Sequence, residues 1–94
     1  MNSIDKKFEK IGFIKAREER DKEGIKYVRY ERYEKEHNYI HIIDFMRKPS
    51  GYHIVQSFDR CDRGDGFADM VGLTMYELKL CLKKMKSLGW KIKK

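Results

Sequence analysis

Apolar residues first recur at helical spacing as Ile4, Phe8 and Ile11, with Ser3 before them as a capping residue and Gly12 after them as a stop. This predicts a helix over roughly 4–11. The stretch from Lys15 to Gly24 is almost wholly charged and predicts an exposed loop or a frayed helical turn, with nothing in it to bury. From Ile25 to Tyr33, aromatic and β-branched residues alternate with Lys26, Arg29 and Arg32, the composition of a half-covered strand. Residues 34–38 are a polar turn, and Tyr39 to Met46 is the next β run. Lys48, Pro49, Ser50 and Gly51 suit a tight turn leading into a third run, Tyr52 to Phe58. Residues 59–72 read as a surface loop with one helical turn around Phe67 to Val71. Thr74 and Glu77 stand at capping-box spacing, and Leu78, Cys81, Leu82, Met85 and Leu88 form an apolar stripe that Gly89 ends. Trp90 and Ile92 then fold back onto the core. The expected architecture is a single α+β domain over 1–94, a three-stranded antiparallel sheet in α-β-β-β-α order with the helices mainly on one face.

Charge changes this picture more than composition does. Lys and Arg number 22 against 15 Asp and Glu, a formal net charge of +7, and residues 67–94 alone carry 7 basic and 2 acidic side chains. The basic character therefore belongs to the last helix and the tail lysines Lys91, Lys93 and Lys94. No apolar run approaches the roughly 18 residues that a membrane span needs, and the start of the chain lacks the apolar stretch of a signal peptide. A cytoplasmic protein with no membrane contact is expected, its two cysteines, Cys61 and Cys81, being free thiols.

With Leu78 as the middle of the buried stripe and 100° per residue, Lys79, Lys83 and Lys86 fall on one flank of the last helix. Tyr76, Leu80 and Ser87 fall near the opposite side. A lysine flank of this kind grips phosphates without sequence preference, so nucleic acid or a nucleoprotein is the expected partner. The strands offer two alternation sets: Tyr27, Tyr33, Tyr39, Ile43 and Phe45 in one, Val28, Tyr30, Ile40, Ile42 and Met46 in the other. Two short helices cannot cover both sheet faces, so one face is expected to stay open. Tyr27, Tyr33 and Tyr39 would there serve base stacking, a protein partner or a homodimer interface.

His37, His41, Cys61, Asp59, Asp62 and Asp65 are the only metal-like constellation. If Arg47 pairs with Tyr52, His37 faces Asp62 and Asn38 faces Cys61 at one sheet end. The spacing matches no zinc motif and no calcium loop, so no bound metal and no cofactor are expected. Asp44 with His53, or Cys61 with His37, would be the nearest approach to a catalytic pair, and neither is supported by an oxyanion site or a phosphate loop. No enzymatic activity is expected.

Several strings together, Ile11-Gly12-Phe13, Tyr30-Glu31-Arg32-Tyr33, Lys48 to Ser57, Val71-Gly72-Leu73-Thr74 and Lys83 to Trp90, resemble small proteins of Gram-positive prophages and mobile elements. That resemblance implies a setting in which inhibitors of host defence, such as anti-CRISPR proteins acting on a CRISPR effector, are common. The order α-β-β-β-α is also that of double-stranded RNA-binding domains, whose basic cluster sits at the start of the last helix. Here the lysines occupy its middle and end. The functional expectation is a non-enzymatic binding protein acting on nucleic acid or a host nucleoprotein. The alternatives are a homodimeric interaction module and, behind it, a small zinc-binding protein.

Overall fold

A computed structural model describes residues 3–36, 38–61 and 68–90, with residues 61 and 68–70 described as backbone. Helix α1, Ser3–Lys10, ends where the Gly12 N–H donates to the Glu9 carbonyl at 3.0 Å and the Phe13 N–H to that of Phe8 at 3.0 Å. Gly12 takes φ +95°, and a Cβ there would sit 3.0 Å from Cδ of Arg32, so both conformation and space call for glycine. The chain then enters β1, Ile14–Asp21, where a charged loop or helical turn was expected. The strand forms because its backbone pairs with β2, Gly24–Glu34, while its position at the sheet edge lets charged side chains on either face reach water. Its register shifts at Lys15/Arg17 and Glu19/Arg20, which hides the period-two signature of a regular strand.

Strands β3, Tyr39–Arg47, and β4, His53–Cys61, continue the antiparallel sheet, and β5, Ala68–Met70, adds three residues alongside Phe58 to Arg60. The sheet order is β1-β2-β3-β4-β5. The expected three strands are thus corrected to four long ones with a short fifth at the edge. The backbone at 68–70 is extended where a helical turn was expected, because β4 runs on past Phe58 and offers it a pairing edge. The added strands also take the order further from that of a double-stranded RNA-binding domain.

The β3–β4 turn closes through Lys48, whose N–H donates to the Tyr52 carbonyl at 2.8 Å, so Arg47 pairs with His53 and Tyr39 with Cys61. The expected register is one residue off. Asp44 faces Gln56, where the expected register gives Val55, and His53, weighed as its neighbour across the turn, stands opposite Arg47. The β2–β3 pairing sets Val28 against Phe45 and Tyr30 against Ile43, which puts these four on one face and Tyr27, Tyr33, Ile40, Ile42 and Met46 on the other. Both alternation sets were therefore mixed across the two strands.

Both helices pack on the Val28/Tyr30/Ile43/Phe45 face. Phe8 stacks on Tyr30 at 4.2 Å between ring centroids and meets Phe13 and Phe45 edge-on at 6.0 and 6.5 Å. Leu80 and Cys81 of α2, Met75–Ser87, complete this core. The capping box of α2 forms as expected, the Glu77 N–H donating to Thr74 Oγ1 at 3.1 Å and the Thr74 N–H to Glu77 Oε1 at 2.8 Å. Gly89 ends the helix with φ +75°, and Trp90 folds back to stack on His53 at 4.5 Å.

The centre of the sheet face without helices is covered by its own side chains. Arg29 donates to both carboxylate oxygens of Asp44 at 2.8 and 3.0 Å, and the Tyr27 hydroxyl donates to the same carboxylate at 2.8 Å. The Arg29 guanidinium lies 5.9 Å from both the Tyr27 and Phe58 ring centroids, so the centre of this face is filled from within.

Candidate functional site

The residues that α2 buries are Glu77, Leu80, Cys81 and Lys84. At 100° per residue their midline lies roughly 110° around the helix from Leu78, which was expected at the centre of the buried stripe. Leu78 and Leu82 face outward, 44% and 57% exposed, and Leu80, expected on the outside, is buried. The helix adopts this rotation because the sheet and α1 present partners for its polar residues, and those partners are distant in sequence.

Glu77 meets Arg32 of β2, Oε2 to Nη1 at 3.1 Å. Arg32 also donates to the Ile11 carbonyl at 3.1 Å and to Glu34 at 2.6 Å, and its guanidinium lies 4.3 Å from the Phe13 ring centroid. Burial would raise the Glu77 carboxyl, but the Thr74 N–H and the Arg32 charge outweigh it and hold the group below its ordinary value. Lys84, 3% exposed, reaches Asp5 of α1 at 3.4 Å. Lys15 approaches the same carboxylate at 3.5 Å and the Tyr30 hydroxyl donates to it. Against the opposing effect of burial, Tyr30, Lys84 and Lys15 keep Asp5 below the usual carboxylate range.

These contacts leave lysines dominating the outside of the helix layer. Its half-buried Asp5 and its buried Glu77 are engaged inward. Lys6, Lys10, Lys79, Lys83 and Lys86 are exposed, Lys7 is half-buried, and Glu9 is the exposed acid among the described residues of the two helices. The Lys83 ammonium is held below its ordinary value by Lys7 and then by Lys79, so the lysines of the two helices are close enough to repel one another. Beside them Met75, Tyr76, Leu78, Lys79 and Leu82 line a shallow apolar depression of about 440 Å³, with Met75 83% and Tyr76 50% exposed. Met75, Leu78 and Leu82 are thus large apolar side chains that stand exposed together on one helix face.

Lys79, Lys83, Lys86 and Tyr76 thus lie together on an outer face, although the helix is turned from the expected orientation. The three strand tyrosines do not converge. Tyr27 is tied to Asp44; Tyr33 is exposed on the same face, its hydroxyl donating to Asn38 Oδ1 at 3.0 Å; and Tyr39 belongs by register to the opposite face. Of the zinc candidates, His37, Asp62, Asp65 and the Cys61 side chain lie outside the described residues, as do the tail lysines. Asp59 pairs by register with His41. Among the described residues no three metal-ligating side chains converge.

His41 Nε2 lies 2.6 Å from Ser57 Oγ, the separation of a nucleophile and its base. Both the histidine's burial and the Arg32 guanidinium 3.3 Å from Nδ1 keep its imidazole below its ordinary value. A triad would put a carboxylate where this guanidinium stands, and the imidazole itself is 2% exposed beside a half-buried Ser57. A second groove, about 580 Å³ between α1, β1 and α2, is lined by Asp5, Lys15, Glu18, Arg20 and Lys84, which largely pair with one another.

Residues missed in the sequence were Lys6, Lys7 and Lys10, whose basic spacing in α1 was legible, and Met75, Leu78 and Leu82, which apolar periodicity assigned to the core or left unassigned. Among the described residues no helix is long and apolar enough to cross a membrane. Comparison with protein-family models, curated proteins and solved structures finds no match.

Proposed function

We propose that the protein is a non-enzymatic binding protein that holds an anionic macromolecular partner against the outer surface of its helix layer. Nucleic acid and the acidic surface of a host nucleoprotein share the required chemistry. The observation that carries this reading is the segregation of charge: Asp5 and Glu77 are drawn inward by Lys84 and Arg32, so the outer surface is dominated by lysines. Such a surface raises the local concentration of anions and speeds their capture. The same charge opposes pairing of two copies through α2, which counts against a homodimer built on this face.

Retention on immobilised heparin, used as a plain polyanion, tests the reading. The variant Lys79→Ala/Lys83→Ala/Lys86→Ala is expected to elute at clearly lower salt than the natural chain. A variant removing three charges elsewhere, Arg17→Ala/Lys22→Ala/Arg60→Ala, is expected to elute close to it. Equal shifts in the two variants would mean that net charge alone is being read, and the reading would fail.

A further inference from the structure

The outer face of α2 has two edges of different chemistry. Around the helix axis, Leu78, Leu82 and Met75 follow one another on the side away from the buried midline, and Lys86, Lys79 and Lys83 continue the circuit toward Lys7 of α1. The apolar strip runs from Met75 to Leu82, a rise of about 10 Å or two helical turns. No acid interrupts either strip, since Glu77 points inward to Arg32. The strip is no leftover of the core, because Leu80 and Cys81 already fill that role.

We infer that this face docks into a groove of a partner protein that has an apolar floor and an acidic rim on the side facing α1. The inference rests on the reading of the helix layer as a surface for anionic partners, and it names the partner's class. A phosphate backbone offers the lysines what they need but leaves Leu78, Leu82 and Met75 uncovered. A protein groove serves both strips: apolar side chains at i, i+3 and i+7 are the anchors of a helix laid in a groove, and charges at its rim set orientation and encounter rate. A second copy of this chain presents the same lysines and lacks the complementary rim.

The probe is a helical-hairpin peptide of about 36 residues whose two helices form a leucine-lined groove with a row of glutamates along one rim, with a control in which serines replace the leucines. A single-stranded DNA of about 20 bases is the third probe. The full chain is expected to bind the leucine peptide at least about tenfold more tightly than the serine control. The variant Leu78→Ser/Leu82→Ser is expected to lose that advantage while keeping its heparin retention and its melting temperature, both side chains being exposed already. If both peptides bind alike, the double variant changes nothing and DNA binds through Lys79, Lys83 and Lys86, the protein-groove inference is overturned and the anionic-partner reading stands. If no probe binds and heparin retention ignores those lysines, both fall.

Discussion

Lys83 and Lys84 are neighbours in sequence, yet replacing each by alanine should have opposite consequences. Lys84 is 3% exposed, its Nζ 3.4 Å from Asp5 and 5.8 Å from the Tyr30 ring centroid. Lys84→Ala removes three buried methylenes, about 2.4 kcal/mol at roughly 0.8 kcal/mol each. It also takes one of three partners from Asp5, a loss set against the relief of no longer dehydrating an ammonium. A net cost of about 2–3 kcal/mol corresponds to roughly 10–20 °C in melting temperature for a domain of this size. Lys84→Met, which keeps the stem and drops the charge, should recover most of that loss. Lys83→Ala should leave the melting temperature unchanged or slightly raised, since its ammonium is crowded by Lys7. Thermal unfolding followed by circular dichroism reads all three. Equal melting temperatures for Lys83→Ala and Lys84→Ala would refute the rotation of α2, and with it the composition of the outer face.

Two further outcomes follow from buried groups. His41 is held neutral by burial and by Arg32, with Glu77, Glu34 and Asp59 opposing, so its folded pKa lies below the unfolded value of about 6.5. As pH falls through that value the unfolded chain takes up the proton first, so this contribution to stability is full above about 6.5 and is lost on acidification, at no more than about 1.4 kcal/mol per pH unit. Urea midpoints at pH 7.5, 6.5 and 5.5 should decline less steeply in His41→Asn than in the natural chain; identical slopes would contradict the assignment. Cys81 is buried and its thiol is pushed up to about 12 by burial, then by Glu77, so in a Cys61→Ser background it should react with a disulfide reagent only on unfolding. Prompt reaction of the native protein would show that the core opens at α2.

What was legible in the sequence is what local chemistry decides. The capping box at Thr74 and Glu77, the stop at Gly89 and the central strands rest on short-range signals, and all form. The missing strand β1 carries no alternation to read, because charged residues at an edge are satisfied by water or by one another whichever way they point and bulges break the period. The register error came from a turn closed by Lys48 and Tyr52, one residue longer than the tightest reading of Pro49 and Gly51. The rotation of α2 was beyond any rule that places leucines inside, since Glu77 and Lys84 are drawn in by Arg32 and Asp5, 45 and 79 positions away. The lysines Lys79, Lys83 and Lys86 were legible as a cluster, whereas the apolar strip beside them became visible only once the helix was correctly turned. Tyr27, Tyr33 and Tyr39 could not be assigned to faces without the pairing of β2 with β3.

The proposed location of a partner surface on the helix layer is tested most directly by charge reversal in the cell that makes the protein. Tagged chains carrying Lys79→Glu/Lys83→Glu/Lys86→Glu or, as a control of equal charge, Arg17→Glu/Lys22→Glu/Arg60→Glu are recovered from extracts of those cells with and without nuclease treatment, after circular dichroism has shown both to be folded. The helix-layer variant is predicted to lose the material that the natural chain retains, and the control to keep it. Retention by the helix-layer variant with loss in the control would place the partner elsewhere and contradict the account.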